Sequence, residues 1–292
     1  MPSRPPSAAV RRRRRQVRTG VMLAALVTVV TGGSVLAVNQ LEDSEVLVRE
    51  RCSATVGTDT FELSPTQAGN AALISGVAVA RGLPARAASI AIATAIQESR
   101  LENIDYGDDA GPDSRGLFQQ RPSQGWGTEE QIMSPLYATG AFYDALVRIP
   151  GYETLPITEA AQIVQRSAHP EAYADHEPEG RAFASALTGN SPAALDCTLH
   201  EPDGAGDPLA VSAAAEEVFG PLGGVVDATT LTLDVSGTSG WAVAQWAVAN
   251  ASTFSITSVS HSGLQWGRAE GGWTATTSEP GIVTVTVAGV TP

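Results

Sequence analysis

The sequence predicts a multidomain chain with an N-terminal transmembrane helix, an all-α central domain and a small α+β C-terminal domain. Three observations support this fold class. Residues 19–41 carry no charge, helix signals follow closely in residues 64–189, and short alternating segments dominate the last part of the chain. The predicted boundaries are a disordered basic tail at 1–18, the transmembrane helix at 19–41, a stem at 42–63, the helical domain at 64–189, a Pro- and Gly-rich linker at 190–207 and the α+β domain at 208–292.

The uncharged segment Thr19–Leu41 is long enough to cross a bilayer core, which takes about 20 apolar residues in a helix. Arginines precede it and the first acidic residue, Glu42, follows it. This order predicts a single-pass cell-membrane protein with a cytoplasmic N-terminus and an extracytoplasmic body. A secreted protein is the alternative, because Val35-Leu36-Ala37 fits a signal-peptide cleavage site.

Charge is distributed very unevenly along the chain. All 18 basic residues are arginine, and seven of them lie in the first 20 residues. The other 11 face 31 acidic residues, which leaves residues 41–292 with a net charge of −20. An acidic body repels phosphate groups, so we expect no nucleic-acid partner.

Two cysteines, Cys52 and Cys197, bracket the helical domain. In an extracytoplasmic protein such a pair predicts one disulfide that joins both ends of a domain. Two unrelated thiols are the alternative.

Helix-start and helix-end residues define the predicted helices of the central domain. Ser64-Pro65-Thr66-Gln67 is a capping box, and Gly82 ends the helix that it begins. Pro84 opens a second helix, which runs to about Glu102. Further helices are predicted after Thr128 and at 134–149, 158–167, 170–187, 209–219 and 240–254, and strands at 230–235, 256–259, 263–266, 273–276 and 282–287.

Glu98 is the candidate catalytic residue. It follows a run from Ala87 to Gln97 without any charge, and that run is apolar or small on every face up to Ile96. Glycoside cleavage needs an acid that protonates the leaving oxygen, and a carboxyl group in apolar surroundings keeps its proton to higher pH. A solvated carboxylate at a helix end is the alternative.

The order Gln97-Glu98-Ser99, Ser114-Arg115-Gly116-Leu117-Phe118-Gln119 and Pro122 resembles the Glu-Ser … Gly-Leu-Met-Gln … Pro signature of the soluble lytic transglycosylase branch of the lysozyme-like superfamily. The resemblance covers Thr66–Leu187 and extends to lysozyme-like domains of actinobacterial envelope proteins. It implies a lysozyme-like domain that cleaves the β-1,4 bond between N-acetylmuramic acid and N-acetylglucosamine in peptidoglycan, with Glu98 as acid/base. The candidate substrate-binding residues are Ser99, Ser114, Gly116, Leu117, Gln119, Gln120, Trp126 and Tyr173.

Two of these candidates have a weaker match. Tyr173, in Glu171-Ala172-Tyr173-Ala174, stands where the family has a late Tyr motif, but the usual Tyr-Asn-Ala-Gly is absent. Trp126, in Gly125-Trp126-Gly127, is either a platform for sugar stacking or a core residue.

The resemblance implies a lytic transglycosylase that works with a single Glu, while the N-acetyl group and 6-hydroxyl of the substrate complete the reaction and leave a 1,6-anhydro end. A hydrolytic muramidase is the alternative, and it needs a placed water that a second carboxylate often holds. Asp105, Asp108, Asp109 and Asp113 are candidates for that carboxylate, unless they form only a solvated loop. A non-catalytic wall-binding or scaffold protein with a lysozyme-like groove is the remaining alternative.

The sequence predicts no cofactor and no metal site, because its four histidines show no metal-ligand spacing. Near the C-terminus, the segment 241–246 resembles a small accessory domain found beside lysozyme-like modules. Its neighbourhood is rich in tryptophan, which forms either a glycan-binding strip or core packing; the residues are Trp241, Trp246, Trp266 and Trp273.

Overall fold

The computed structural model describes residues 49–109, 111–166 and 170–290 of the chain. The predicted basic tail, the predicted transmembrane helix at 19–41 and the first residues of the stem lie outside these ranges. Within them, no helix has the length and apolar character needed to span a bilayer. Residues 49–292 belong to one compact unit.

Eight α-helices occur in the described ranges. They are α1 (Pro65–Ala80), α2 (Ala85–Ser99), α3 (Glu129–Ile132), α4 (Pro135–Leu146), α5 (Ile157–Gln165), α6 (Glu177–Leu187), α7 (Pro208–Phe219) and α8 (Gly237–Ala249). Two short 3-10 helices lie at Pro122–Gln124 and Pro170–His176.

Two antiparallel sheets accompany the helices, a three-stranded one in the order β2-β1-β3 and a six-stranded one in the order β4-β5-β9-β6-β7-β8. The strands are β1 (Arg51–Val56), β2 (Asp59–Leu63), β3 (Leu195–Thr198), β4 (Val225–Asp227), β5 (Thr230–Asp234), β6 (Ile256–His261), β7 (Leu264–Gly267), β8 (Trp273–Ala275) and β9 (Ile282–Val287).

The predicted fold class, with its all-α central domain, is wrong, because the described chain is a mixed α/β structure with two antiparallel sheets. The first sheet is the cause of the error. β1 and β2 lie in the predicted stem, and β3 lies in the predicted linker. These strands are short, and β1 pairs with β3 across more than 140 residues of sequence, so no local pattern reveals the sheet.

The predicted disulfide between Cys52 and Cys197 is confirmed. The two residues lie directly opposite each other in the β1–β3 ladder, and both are fully buried. The bond closes a loop with a sequence separation of 145. In the chain-entropy model such a loop contributes roughly 5 kcal/mol to stability.

Most helix starts follow the sequence signals. The capping box before α1 is confirmed, since the Ser64 hydroxyl accepts from the Gln67 N–H and the Gln67 side chain accepts from the Ser64 N–H. The start of α5 differs from the prediction: the helix begins at Ile157 after Pro156, which makes no side-chain cap, so Thr158 does not cap it.

Helix α2 is the central helix of the core. Its residues from Ala87 to Ile96 are all buried, and α6 packs closely against it. Gly180 of α6 makes this approach possible, because a Cβ there would lie 2.9 Å from the Ser89 carbonyl oxygen. The burial of α2 on every side fixes the position of its last turn, which carries Glu98.

The C-terminal region packs directly on the helices rather than apart from them. The buried Gln245 amide donates to the carbonyl oxygen of Ala186 and accepts from the N–H of Leu195. The four tryptophans near the C-terminus make interior contacts, which favours core packing over a glycan-binding strip: Trp241 and Trp246 are buried on α8, Trp266 donates to Asp196, and Trp273 donates to the carbonyl oxygen of Leu195.

Candidate functional site

Glu98 stands next to last in α2, at the point where the chain turns sharply out of the helix. Arg100 and Leu101 both have left-handed backbone conformations, each with a φ of 57°. Their N–H groups bond back to the carbonyl oxygens of Ile96 and Ala95, which closes the helix end. The half-buried Glu98 side chain therefore lies at a rigid corner between the helix and the loop that follows.

Two side chains from distant elements bind the Glu98 carboxyl group. The hydroxyl of the buried Tyr173 donates to its Oε1 at 2.6 Å. Gln165, the last residue of α5, also forms a side-chain hydrogen bond with it. These bonds restrict the orientation of the carboxyl group.

The pKa of Glu98 is raised above its ordinary value, and burial is the main cause. The hydrogen bonds from Tyr173 and Gln165 favour the carboxylate and oppose this effect, while the negative charge of Asp108 adds to it. Among the described residues, the ion pairs formed by arginines involve other carboxylates. A proton on Glu98 is thus favoured at higher pH than on an exposed glutamate.

The segment Ser114–Gln119 is held against the end of α2 and the loop that follows by hydrogen bonds of its backbone groups. The Ser99 hydroxyl donates to the Leu117 carbonyl oxygen at 2.7 Å, and the Gly116 N–H donates to the Ile104 carbonyl oxygen at 2.7 Å. Gly116 has a φ of 75°, and a Cβ there would lie 2.7 Å from the Ile132 carbonyl oxygen. Glycine is therefore required at this position.

The side chains of this segment mostly point inward. Leu117 and Phe118 are fully buried, and Phe118 stacks on Phe142 of α4 with ring centroids 4.6 Å apart. The Phe118 carbonyl oxygen accepts from Gln165 at 2.6 Å, so the residue that binds Glu98 also fixes this segment. Of the predicted site residues, the structure therefore joins Tyr173 to Glu98 and Leu117 to the adjacent Ser99 by hydrogen bonds.

The other predicted substrate-binding residues differ in exposure. Ser114 and Gln120 are buried, and the Gln120 amide donates to the Ala138 carbonyl oxygen at 3.1 Å. Gln119 stays partly exposed, with a left-handed φ of 48° and a weak side-chain bond to the Gly116 carbonyl oxygen at 3.3 Å. Gln119 is thus the residue of the Gly116–Gln119 segment that is best able to reach a ligand.

Trp126 belongs to a different cavity, which also contains Tyr137 and Arg148. Glu98 is not among the described residues that line it. The indole is half-buried and packs partly on the core. Both sequence-based interpretations of Trp126 are therefore compatible with its position.

The acidic loop separates into distinct environments. Asp113 accepts hydrogen bonds from the Ser123 N–H and from the Arg121 guanidinium group. These contacts hold its pKa far below the usual value, and the hydrogen bonds from Ser123 are the largest cause. Asp108 accepts from the Gly111 N–H at 2.8 Å, and its charge acts on Glu98. Asp105 and Asp109 are exposed. Of the four candidates for a second carboxylate, Asp108 is the one coupled to Glu98.

Sequence reasoning missed Gln165. The residue sits at the end of a short amphipathic helix, where a polar side chain is normally solvated, and nothing local shows that it reaches a carboxyl group 67 positions earlier. A second polar neighbour, His176, lies with its Nε2 3.0 Å from the Gln97 Oε1, and burial lowers its pKa.

The part of the chain that the structure describes contains no group of three or more His, Cys, Asp or Glu side chains placed to hold a metal ion. The sequence matches no protein-family model and no characterised protein.

Proposed function

We propose that this protein cleaves the glycan strands of peptidoglycan between N-acetylmuramic acid and N-acetylglucosamine, with Glu98 as the acid/base of a lytic transglycosylase. The observation that carries the proposal is the Glu98 carboxyl group itself. It is fixed at a buried helix end, hydrogen-bonded to Tyr173 at 2.6 Å, and its pKa is raised.

In the first step, protonated Glu98 gives its proton to the glycosidic oxygen as the bond to the sugar C1 breaks. The substrate N-acetyl group stabilises the positive charge that develops at C1. In the second step, the Glu98 carboxylate takes the proton from the 6-hydroxyl of the same sugar as that oxygen attacks C1. The products are a free 4-hydroxyl and a 1,6-anhydro end, and Glu98 regains its proton.

The hydrogen bonds to Glu98 and its burial favour opposite protonation states of the acid. The bonds from Tyr173 and Gln165 stabilise the carboxylate that forms after the first step, while burial favours the protonated form before it. Because Tyr173 is bound to Oε1, rotation of the carboxyl group is restricted.

Transglycosylation is preferred to hydrolysis because the surroundings of Glu98 offer one acid with a defined position. Asp113 is engaged by Ser123 and Arg121. A muramidase mechanism would need Asp108 to hold the attacking water, since its charge is the one that acts on Glu98.

The proposal places the protein body outside the cytoplasm, where peptidoglycan is found. The Cys52–Cys197 disulfide supports this location, because such bonds persist in oxidising compartments.

The test uses the full-length chain, as wild type and as Glu98→Gln, incubated with purified peptidoglycan sacculi. Mass spectrometry of the released muropeptides should show 1,6-anhydro ends from the wild type and none from the variant. Hydrated reducing ends would make the protein a muramidase. Binding of sacculi by both proteins without any release would favour the non-catalytic wall-binding alternative.

A further inference from the structure

A pocket of about 510 Å³ lies beside α4, α5 and the loop that carries Trp126. Its volume falls within the range of small-molecule and sugar sites. Trp126 and Tyr137 contribute aromatic surface, Val164 contributes apolar surface, and Arg148 and Arg166 contribute charge. This combination of flat rings and guanidinium groups indicates a ligand with both an apolar face and an anion.

The aromatic wall of the pocket depends on a close backbone approach. The Tyr137 hydroxyl donates to the Trp126 carbonyl oxygen at 3.3 Å. Gly127, with a φ of 132°, permits this contact, because a Cβ there would lie 2.7 Å from the Tyr137 hydroxyl oxygen. The backbone at Trp126 is therefore held beside Tyr137, and the half-buried indole contributes to the pocket lining.

The charge of the pocket is opposite to that of the protein body. Arg148 and Arg166 are both exposed, and neither forms an ion pair with any residue of the described ranges. Asp144, the carboxylate among the described lining residues, is paired with Arg81. In a body with 31 acidic residues, two available guanidinium groups on one pocket favour an anionic ligand.

Arg166 is the residue at which α5 ends, in a left-handed conformation with a φ of 54°. Arg100 ends α2 in the same conformation, so the backbone geometry alone assigns no role to Arg166. Its place among the pocket-lining residues carries the inference.

The pocket and the Glu98 site share helix α5. Gln165 acts on the pKa of Glu98, while its sequence neighbours Val164 and Arg166 line the pocket. A polymer that places its scissile bond at Glu98 has further units available on either side of that bond. One of these units can occupy the pocket.

We propose that the pocket binds a carboxylate-bearing unit of the glycan substrate, with a sugar face on Trp126 and the carboxylate at Arg148 and Arg166. In peptidoglycan, free carboxylates belong to the stem peptides attached to the muramic acid units. This inference rests on the proposed function and deepens it, because it makes the protein selective for strands that still carry their peptides.

The experiment measures binding in the full-length Glu98→Gln protein, so that no substrate is consumed. Soluble glycan strands with intact stem peptides are compared, by isothermal titration calorimetry, with the same strands stripped of peptides by an amidase. Adding Arg148→Gln and Arg166→Gln should weaken binding of the peptide-bearing strands about tenfold or more and leave the stripped strands within about twofold. Raised salt should weaken the peptide-dependent part of the binding.

Arg181→Gln is the matched control, since Arg181 is exposed, is not among the described residues that line the pocket and pairs with Glu177. It should leave both affinities unchanged, and thermal unfolding should show that all variants are folded. Equal binding of the two strand types, or equal losses for both in the double variant, would overturn the pocket assignment. That result is independent of the proposed function, which is tested by the products that the wild type releases.

Discussion

Glu98 and Asp113 are carboxyl groups of the same site region, and the structure gives them opposite environments. Glu98 stands at the buried end of α2, bonded to a tyrosine hydroxyl, and burial raises its pKa. Asp113 stands in the loop that follows, bonded to Ser123 and Arg121, and its pKa is held far below the usual value. One group is suited to hold a proton and the other to remain charged.

The neighbours of a carboxylate, rather than its presence in an acidic cluster, decide its chemistry. The charge-free run before Glu98 brings no cation to it, and burial then acts without compensation by an ion pair. The loop around Asp113 supplies an arginine and a backbone N–H directed at its oxygens. The general acid of a site is therefore expected to be the carboxyl group that lacks cationic and backbone N–H partners.

The largest expected effect comes from making the same change, carboxylate to carboxamide, at both positions. Glu98→Gln should lower the rate of glycan cleavage by about 10² to 10⁴-fold, the usual contribution of a general acid. Asp113→Asn should stay within about threefold, because Asp113 has no proton to give. Initial rates of soluble muropeptide release measure both. Equal losses of cleavage rate in the two variants would contradict the contrast between the two carboxyl groups and exclude Glu98 as the general acid.

A smaller effect is expected from Tyr173→Phe, which removes the hydroxyl that donates a hydrogen bond to Glu98. Since this hydrogen bond favours the carboxylate, its loss should raise the pKa of Glu98 further. The protonated acid then persists to higher pH, and the alkaline limb of the kcat/KM profile should shift to higher pH. The maximum rate should fall about tenfold, because the orientation of the carboxyl group is lost.

The control for this variant is Tyr143→Phe. Tyr143 is also fully buried and donates its hydroxyl to the Ile74 carbonyl oxygen at 2.9 Å, away from Glu98. It should lose stability while the pH profile keeps its shape. An unchanged alkaline limb in Tyr173→Phe would contradict the assignment of that limb to Glu98.

The environment of Glu98 was partly predictable, because the uncharged run from Ala87 to Gln97 favours burial of the helix and brings its last turn to the edge of the core. The hydrogen bond from Tyr173 to Glu98 was not predicted, because the family resemblance marked Tyr173 only as a substrate-binding candidate. The bond from Gln165 was not predictable, since α5 and α2 meet only after the chain has folded.

The same limit explains the error in the fold class. Helices leave local signals, and the capping boxes at Ser64 and Thr128 marked two of them. The β1–β3 pair depends on contacts between residues far apart, and its strands of six and four residues offer little alternation to detect. Only the two cysteines indicated that these segments meet.

The two pKa shifts also predict stability effects of opposite sign. A carboxyl group with a raised pKa favours folding while it is protonated, and this contribution is lost as pH rises from its ordinary pKa through the raised one. A carboxyl group with a depressed pKa contributes stability above its ordinary pKa, and this contribution is lost as pH falls toward the depressed one. Above the raised pKa an ionised Glu98 is therefore unfavourable to folding, whereas an ionised Asp113 is favourable to folding above its ordinary pKa.

The smallest expected effect follows from these signs. At pH 8, Glu98→Gln should raise the free energy of unfolding by about 1 kcal/mol, because it removes the cost of a buried charge while keeping the shape of the side chain. Asp113→Asn should lower it, since the carboxamide cannot replace the charged acceptor of Arg121 and Ser123. Urea unfolding at pH 8, pH 4 and pH 2 tests both: the Glu98 difference should shrink once the pH falls below the ordinary pKa of 4.5, whereas the Asp113 difference should persist at pH 4 and shrink only as the pH falls below 3.8. If the two variants shifted stability in the same direction at pH 8, the contrast between the two carboxyl groups would be wrong, whatever the cleavage assay shows.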